Sequence, residues 1–323
     1  MDMSVNIAGV EWKNPVTVAS GTFGSGAEFA DYVDINKLGA VTTKGVANVP
    51  WVGNPTPRVA EVYGGMMNAI GLQNPGIDLF DLSGKFLYMM CILTKCKESC
   101  VYIRAGNINL HHINWLICQT FHHCQIFFRR MTAYIYNDLC IILFQKRNIP
   151  LTEKIDTRIL QTNRIHHVEE LTAQIKKIAK QPVIMKLTPN VTDITEIAKG
   201  AEAGGADAVS LINTLTGMKI DINRKTFALA NKTGGVSGPI VKPIAVRMVY
   251  QVAQAVNIPI IGMGGISCAE DAIEFILAGA SAVSVGTANF HNPAVTLEVI
   301  DGIEAYMKKN GFNSVKEMVG IVK

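Results

Sequence analysis

Two lysines stand at the ends of short apolar runs. Lys44 follows the run 39–43, and Lys186 lies near the end of the run 183–187. Because a lysine is rarely buried without a partner, each one either extends to solvent as an ordinary charge or binds an anion. An ammonium group beside the ring of a phosphorylated redox cofactor stabilises the negative charge that the ring gains on reduction. Such a cofactor would explain both lysines.

Glycines follow two other apolar runs nearer the C-terminus. Gly264 and Gly265 end one run, and Gly286 with Thr287 ends the next. A glycine has no Cβ atom, so its backbone N–H group can approach a phosphate closely. One such glycine could simply form a turn. A second glycine in the same position, 22 residues later, favours a phosphate site.

The residues around these glycines predict a strand–helix–strand unit. The strands are 259–263 and 282–285, and the apolar spacing of 267–279 predicts the helix between them. Ser267 could cap this helix, with Glu270 three residues later as in a capping box. In a (β/α)8 barrel the phosphate site is commonly built from the loops after strands seven and eight. The position of this unit near the C-terminus therefore predicts an α/β fold of the TIM-barrel type.

The rest of the chain supplies four further strands and several helices. The stretch 46–76 is too long for a passive connector in a compact barrel, so we expect it on the active-site face. Its Asn68, Gln73 and Asn74 could hydrogen-bond a polar planar ligand, and Asn213 could either join them or form a turn. The further predicted strands are 16–19, 39–43, 183–187 and 208–212, and the further predicted helices are 29–33, 168–179, 192–203 and 239–256.

Residues 81–167 do not fit this pattern. They hold two of the 28 glycines, one of the 12 prolines, and six of the seven cysteines and of the seven histidines. Their 11 Lys and Arg against 5 Asp and Glu give this segment a charge of +6, whereas the whole chain has +4, so the other residues sum to −2. The positive charge therefore does not indicate a nucleic-acid-binding surface. We predict one domain over 1–323, in which this segment replaces the third and fourth βα units. Apolar runs such as 139–144 occur in it, but strands three and four are not recognisable.

The composition indicates a globular protein without a membrane segment. A chain of 323 residues with 49% hydrophobic residues suits a single barrel with insertions. The sequence has neither a run of 18 apolar residues nor a signal-peptide pattern, so we expect a soluble, cytoplasmic protein. Cys91, Cys96 and Cys100 nearly match an iron–sulfur spacing, and the His-His-Cys run 122–124 could add ligands. Neither group has a matching second half, so we predict no metal site.

Eight motifs in order resemble the catalytic subunit of the NAD-linked class 1B dihydroorotate dehydrogenases. The resemblance covers about residues 4–80 and 168–320, and as a set the motifs are highly specific. They are ASGTFG (19–24), TTKG (42–45), GNPTPR with NAIGLQNPG (53–58 and 68–76), MKLTPNVTDI (185–194), SLINTLTG (210–217), KTGGVSGP (232–239), IGMGGI (261–266) and SVGTA (284–288).

The resemblance implies a barrel that binds FMN and oxidises dihydroorotate to orotate in the pyrimidine pathway to UMP. It also implies electron transfer to NAD through a partner subunit with FAD and a [2Fe–2S] cluster, in a heterotetramer built on a homodimer. Carried over by motif, the FMN-binding residues are Ser20, Lys44, Gly45, Lys186, Ile212, Gly238, Gly264, Gly265, Gly286 and Thr287. The substrate-binding residues are Lys44, Asn68, Ala69, Ile70, Gly71, Leu72, Asn213 and Thr214.

One part of the family pattern is missing. In the family, strand four ends in an N-x-S-C-P-N motif whose cysteine is the base that removes a proton from substrate C5, and this sequence has no such motif. Asn137 and Cys140 reproduce the spacing of its asparagine and cysteine without the Pro-Asn, a short match that we interpret as chance. No catalytic residue is therefore assigned. We predict that the chain is poorly soluble, because an incomplete barrel would expose unpaired strand edges and its apolar interior, or inactive, because loss of a positioned base costs about 10²- to 10⁴-fold in rate.

Three explanations of the segment 81–167 stay open. It is a stretch read in the wrong frame or a faulty gene model, a replacement in a decayed gene, or a functional insertion, which the missing motif disfavours. Two alternative functions also stay open: a flavin-dependent dihydropyrimidine dehydrogenase subunit, and a non-catalytic protein that binds flavin or a partner. The loop 68–76 favours dihydroorotate, and a comparison of orotate with uracil as ligands would decide between the two enzymes.

Overall fold

The structure, a computed structural model, describes residues 1–46, 50–76, 88–93, 140–144 and 165–322, with the backbone alone at 88–93, 140–144, 165–167 and 178. Its centre is an eight-stranded sheet. The strands are β1 (Val16–Val18), β2 (Val41–Thr42), β3 (Tyr88–Leu93), β4 (Cys140–Phe144), β5 (Val183–Lys186), β6 (Ala208–Leu211), β7 (Ile260–Met263) and β8 (Ala282–Val285).

The order of the strands is that of a barrel. Neighbours follow one another as β1–β8–β7–β6–β5–β4–β3–β2, so the two end strands are β1 and β2. Thr17 Oγ1 of β1 and Thr42 Oγ1 of β2 lie 3.2 Å apart. The Gly39 N–H group, just before β2, donates to the Val16 carbonyl oxygen of β1 at 2.9 Å. The end strands therefore meet, and the predicted α/β barrel fold is confirmed.

Strand β4 departs from the expected all-parallel arrangement. It runs antiparallel to both β3 and β5, whereas the other hydrogen-bonded pairs of this sheet are parallel. Both β3 and β4 come from the segment 81–167, in which the sequence showed no recognisable strands. An apolar run such as 139–144 favours a strand, but the direction of a strand depends on its connections and neighbours. The prediction of one domain over 1–323 stays a prediction.

Five α-helices occur in the described residues. They are α1 (Ile165–Ile178), α2 (Ile194–Ala203), α3 (Lys242–Ala253), α4 (Ala269–Leu277) and α5 (Val295–Asn310). The prediction at the start of α4 was wrong in detail, because Cys268 precedes the helix and Asp271 replaces Glu270 as the residue that reaches back. The Asp271 carboxylate accepts a hydrogen bond from the Cys268 N–H group at 3.2 Å. Within the described chain, every helix is too short or too polar to traverse a bilayer.

The predicted helix at 29–33 was wrong. The structure has a short 3₁₀ turn, Ala27–Phe29, in which the Phe29 and Ala30 N–H groups donate, at 3.1 Å each, to the carbonyl oxygens three residues before them. Phe23 and Val33 are nevertheless buried together in a small apolar cluster between this turn and the barrel wall. The apolar spacing reflected that burial and not a helix.

The two faces of the barrel wall can be distinguished at β7. Gly262 faces outward, because a Cβ atom placed there would lie 2.7 Å from the Phe275 ring of α4. Side chains alternate along a strand, so Ile261 and Met263 face the barrel interior. Strand register then gives the inward-facing polar side chains of the described strands, which are Thr17, Thr42, Lys186, Ser210 and Ser284.

A separate antiparallel sheet has four strands. It contains Leu215–Met218, Thr233–Ser237, Gly65–Asn68 and Val59–Val62 in that order. The sequence indicated a loop at 46–76, but this stretch contains two strands of the sheet. Its two strands pair with a segment far along the chain, and such long-range pairing has no local sequence pattern. Two small hairpins, Val5–Ile7 with Val10–Trp12 and Ile220–Asp221 with Thr226–Phe227, complete the strands of the described chain.

Candidate active site

The residues that follow the parallel strands meet at one rim of the barrel. The Ile212 N–H group after β6 donates to the Met263 carbonyl oxygen of β7 at 2.9 Å, and Asn213 N–H donates to the Leu187 carbonyl oxygen at 3.0 Å. The carboxyl ends of barrel strands are where barrel enzymes carry their active sites. The predicted residues at or just beyond these strand ends are Ser20, Lys44, Gly45, Lys186, Ile212, Asn213, Thr214, Gly264, Gly265, Gly286 and Thr287.

Residues from the connections after β6, β7 and β8 come together at this rim. Gly265 has a φ of 82°, and a Cβ atom placed on it would lie 2.8 Å from the Gly238 carbonyl oxygen. Thr287 Oγ1 donates a hydrogen bond to Ser237 Oγ at 2.8 Å, which joins the loop after β8 to the residue before Gly238. The structure thus brings three predicted residues, Gly238, Gly265 and Thr287, close together from distant parts of the sequence.

Two further glycines line the same cradle. A Cβ atom on Gly264, whose φ is 127°, would lie 3.2 Å from Ile212 Cγ1 and 2.9 Å from the Ala245 Cβ atom. A Cβ atom on Gly286 would lie 3.3 Å from the Ala19 Cβ atom. We name the main chain at Gly238, Gly264, Gly265 and Gly286 the glycine cradle. A side chain at these positions would collide with neighbouring protein atoms, so glycine allows the loops to pack closely here, and glycine main chain leaves its N–H groups unshielded for a phosphate.

The two lysines approach one loop from different strands. Lys186 is 6% exposed, and its Nζ atom donates to Ser20 Oγ at 3.4 Å. Lys44 Nζ would lie 3.3 Å from a Cβ atom on Gly21, the next residue of that loop. Burial lowers the pKa of Lys44, and the nearby Arg58 guanidinium lowers it further. Because burial and Arg58 both disfavour the charged form of Lys44, an anionic ligand beside this ammonium group would stabilise it.

The barrel interior next to Lys186 is polar. Ser210 pairs with Lys186 in the sheet, and Ser284 pairs with Thr17, so all four side chains face inward. The hydroxyl groups of Ser210 and Ser284 are buried and have no hydrogen-bond partner among the described residues. A buried hydroxyl group without a partner is unfavourable unless water or a ligand reaches it. Together with the glycine cradle, this polar interior fits a planar, phosphorylated cofactor such as a flavin.

Predicted substrate residues meet on the antiparallel sheet. Asn68 pairs with Gly235 across two strands. Thr214 packs on the same glycine, since a Cβ atom there would lie 2.0 Å from Thr214 Oγ1. Asn213 Oδ1 accepts a hydrogen bond from the Thr214 N–H group at 2.9 Å. The structure therefore places Asn68 beside the Asn213–Thr214 pair, although the sequence separates them widely.

Asn54 fixes the run that follows Asn68. Its side chain donates to the Ala69 carbonyl oxygen at 2.9 Å, and its N–H group donates to the Ile70 carbonyl oxygen at 3.0 Å. A Cβ atom on Gly71 would lie 2.5 Å from Asn54 Cγ, so this glycine allows the close approach. Leu72 has a φ of 61° in the turn that follows. The predicted run 68–72 is held by a residue that sequence reasoning did not name.

Arg58 is a second residue that the sequence analysis missed. Its carbonyl oxygen accepts from the Ala69 N–H group at 2.8 Å, and its guanidinium donates to the Asn54 carbonyl oxygen at 3.3 Å and to Gln73 Oε1. Gln73 was predicted to face a ligand, but the structure gives its amide oxygen to Arg58. The GNPTPR motif contains both Asn54 and Arg58, yet a motif does not indicate which atoms its residues contact.

Other predicted residues can be located only in part. Gly45 is buried directly after Lys44. Cys140 is described by its backbone alone, which begins β4 opposite Lys186. Asn137 and the run 122–124 lie outside the described residues, as do Cys96 and Cys100. Among the side chains that the structure describes, no three His, Cys, Asp or Glu residues come together as a metal site would need. A surface cavity of about 730 Å³ beside the hairpin 219–232 contains none of the predicted site residues.

Comparison with known proteins gives consistent results. A family model for "Dihydroorotate dehydrogenase" matches residues 2–83 and 155–307. "Dihydroorotate dehydrogenase B (NAD(+)), catalytic subunit" from Lachnoclostridium phytofermentans is 51% identical, with 100% of each chain covered. Proteins of the same name from Alkaliphilus metalliredigens and Bacteroides fragilis are 51% and 45% identical, with at least 98% of each chain covered. A solved dihydroorotate dehydrogenase from Eimeria tenella, in complex with ferulenol, covers 99% of this chain and 88% of its own with a TM-score of 0.65, and at 21% identity it supports the fold alone.

The barrel fold and the chemistry of its rim indicate the class of flavin-dependent oxidoreductases. The relatives narrow that class: the chain belongs to the dihydroorotate dehydrogenase family. The family model leaves residues 84–154 unmatched, and these lie within the segment 81–167 that the sequence set apart.

Proposed function

We propose that this chain oxidises dihydroorotate to orotate in the de novo pathway to UMP, with FMN as its cofactor. The proposal is carried by one observation, the meeting of the glycine cradle with the ammonium groups of Lys44 and Lys186 at a single rim of the barrel. The names of full-length relatives at about half sequence identity support dihydroorotate as the substrate over dihydrouracil, which lacks the carboxylate.

The FMN phosphate would bind to the glycine cradle, where backbone N–H groups are unshielded by side chains. Lys186 faces inward from β5 and would stabilise negative charge on the ring. When bound, FMN would accept the two electrons that dihydroorotate loses. The residues proposed to hold FMN are Ser20, Lys44, Gly45, Lys186, Ile212, Gly238, Gly264, Gly265, Gly286 and Thr287.

The substrate would bind between the two sheets. Its carboxylate suits the Lys44 ammonium, because an adjacent anion offsets the burial that lowers the pKa of Lys44. Its ring amides suit the side-chain amides of Asn68 and Asn213. The residues proposed to hold dihydroorotate are Lys44, Asn68, Ala69, Ile70, Gly71, Leu72, Asn213 and Thr214.

Oxidation also removes a proton from substrate C5, and the proposal assigns no base to this step. The N-x-S-C-P-N motif that supplies the cysteine base in the family is absent from the sequence. Cys140 stays a weak candidate. We propose that turnover is slow for this reason, and that the segment 81–167 is a misread stretch, a decayed replacement or, less favoured, a functional insertion.

The proposal includes a partner subunit. The relatives are named as catalytic subunits of NAD-linked enzymes, which supports an assembly with a second protein. We propose that this partner carries FAD and a [2Fe–2S] cluster and passes electrons to NAD, in a cytoplasmic heterotetramer built on a homodimer of this chain.

The test uses the purified full-length chain. Titration with FMN is expected to give the absorbance of a protein-bound flavin. Anaerobic addition of dihydroorotate is then expected to bleach that absorbance slowly, whereas dihydrouracil is expected to leave it unchanged. A folded chain that stays colourless at saturating FMN would contradict the cofactor assignment, and bleaching by dihydrouracil alone would contradict the substrate. Bound flavin that neither compound reduces would indicate a non-catalytic protein.

A further inference from the structure

We propose that Lys242 and Asp271 join two loops of the glycine cradle and thereby act as positioning residues for the phosphate of the cofactor. One loop leads from Gly238 into α3, and the other leads from Gly264 and Gly265 into α4. The inference rests on the proposed function, because it concerns the same cofactor site.

Asp271 ties down the loop before α4. Its Oδ2 atom accepts hydrogen bonds from the Ser267 N–H group at 2.8 Å, from Ser267 Oγ at 2.7 Å and from the Cys268 N–H group at 3.2 Å. Asp271 is 8% exposed, so these bonds are largely shielded from water. Ser267 lies two residues after Gly265, and its backbone is fixed by this carboxylate.

Lys242 connects that carboxylate to the other loop. Its Nζ atom lies 2.7 Å from Asp271 Oδ1 and 2.7 Å from Glu274 Oε1. Its backbone begins α3, four residues after Gly238. A Cβ atom on Gly265 would lie 2.9 Å from the Lys242 Cβ atom and 3.0 Å from its N atom. The two loops are therefore in direct contact at the point that this ion pair spans.

The charge of Lys242 is engaged by protein carboxylates. Hydrogen bonds to Asp271 and Glu274 raise the pKa of Lys242 well above its ordinary value. The ammonium group has two acidic partners on α4, so its role is to connect the two loops and not to bind phosphate itself. This role makes a distinctive prediction: substitution of either Lys242 or Asp271 is expected to weaken phosphate binding. Were Lys242 a phosphate ligand, loss of Asp271 would release it and strengthen binding.

The experiment compares FMN with riboflavin, which lacks the phosphate. Dissociation constants are measured by fluorescence titration for the full-length chain and for the variants Lys242→Met and Asp271→Asn. We expect the preference for FMN over riboflavin to fall about tenfold in both variants, the size of effect of one charge-assisted hydrogen bond. Riboflavin affinity is expected to change less than about twofold, because the ring contacts lie elsewhere. Lys242→Arg keeps the charge and is expected to retain most of the preference.

A second lysine–aspartate pair supplies the matched control. Lys176 Nζ lies 2.6 Å from Asp207 Oδ2, at the opposite ends of the strands from the cradle. Lys176→Met removes a comparable ion pair, so its melting temperature shows how much stability the loss of such a pair costs. Its preference for FMN over riboflavin is expected to match that of the unaltered chain. Asp271→Asn keeps an amide oxygen for the Ser267 N–H group and is expected to fold if Lys242→Met does not.

The outcomes are distinguishable. An unaltered FMN preference in Asp271→Asn, an increased one, or equal loss of FMN and riboflavin binding would overturn the proposal. If the unaltered, folded chain binds neither compound, the proposed function itself fails, because then no flavin site exists for these residues to support.

Discussion

Two arcs of the barrel wall are built differently. Strands β5, β6, β7, β8 and β1 are each parallel to their neighbours within the arc, and helices α2, α3 and α4 lie between consecutive strands. The other arc, β2 to β4, contains the two-residue strand β2 and the antiparallel strand β4. The regular arc carries the glycine cradle and Lys186. Of the predicted residues whose side chains are described, the irregular arc contributes Lys44 and Gly45 after β2 and, in the connection from β2 to β3, the run 68–72.

This difference follows from how each kind of contact is made. A phosphate held by main chain requires loops whose backbone is fixed on both sides, and a strand followed by a packed helix provides that. A long ammonium side chain reaches its ligand from a less exact position. The regular arc is therefore expected to tolerate backbone changes least, and the irregular arc to affect chemistry through side chains such as Lys44.

The largest expected effect is that of Gly265→Val in the regular arc. The left-handed φ of 82° and the 2.8 Å approach to the Gly238 carbonyl oxygen leave no room for a side chain. We expect FMN affinity, measured by fluorescence titration, to fall by at least about 100-fold, or about 2.7 kcal/mol. Gly311→Val is the control, because Gly311 has a similar φ of 77° with no atom within 4 Å of its Cβ position. It is expected to lower stability by about 1–2 kcal/mol and to leave FMN binding intact. Equal FMN affinity in the two variants would contradict the glycine cradle.

Lys186→Met removes the inward-facing charge of the same arc. We expect the rate at which dihydroorotate reduces the bound flavin to fall about 10²-fold, the usual effect of losing one fixed electrostatic contact. Stopped-flow absorbance measures this rate. Lys199→Met, on the exposed surface of α2, is the control and is expected to react at the rate of the unaltered chain. If Lys186→Met reacts equally fast, Lys186 has only a structural role.

Because Lys44 can lose its proton, the contribution of the irregular arc to orotate binding is expected to depend on pH. The Lys44 ammonium is charged below its pKa, and burial lowers that pKa from the ordinary value of 10.5. Affinity for the orotate anion is therefore expected to fall as pH rises through a value below 10.5. Lys44→Arg is expected to remove this alkaline loss, since a guanidinium stays charged. Orotate titrations between neutral and alkaline pH check both points, and identical pH profiles would refute a contact between Lys44 and the carboxylate.

The smallest expected effect is that of Cys140→Ser at the start of β4. We expect the rate of flavin reduction by dihydroorotate to change less than about twofold, because the sequence around Cys140 lacks the family motif. Cys268→Ser, an exposed cysteine beside α4, is the control. A loss of about 10²-fold or more confined to Cys140→Ser would identify a base in the irregular arc and remove the contrast between the two arcs.

Part of the candidate site was predictable because its determinants are local. The unit β7–α4–β8 has an apolar strand, glycines with left-handed φ values and a helix with helical apolar spacing, and each is visible within a few residues. The helix start was displaced by one residue because Ser267 and Cys268 both precede Asp271, and only three-dimensional contacts select between them. Asn54 and Arg58 were missed for a related reason, since their bonds to the run 68–72 cross a turn.

The sequence by itself determined the barrel class, the glycines after β7 and β8 and the lysines at the strand ends, because strand periodicity and glycine placement are properties of short segments. Only the tertiary structure decided that β4 runs antiparallel, that Asn68 meets Thr214 on Gly235, and that Lys242 reaches Asp271. These are contacts between residues distant in sequence. They depend on how completed elements pack against one another, which no local pattern of residues specifies.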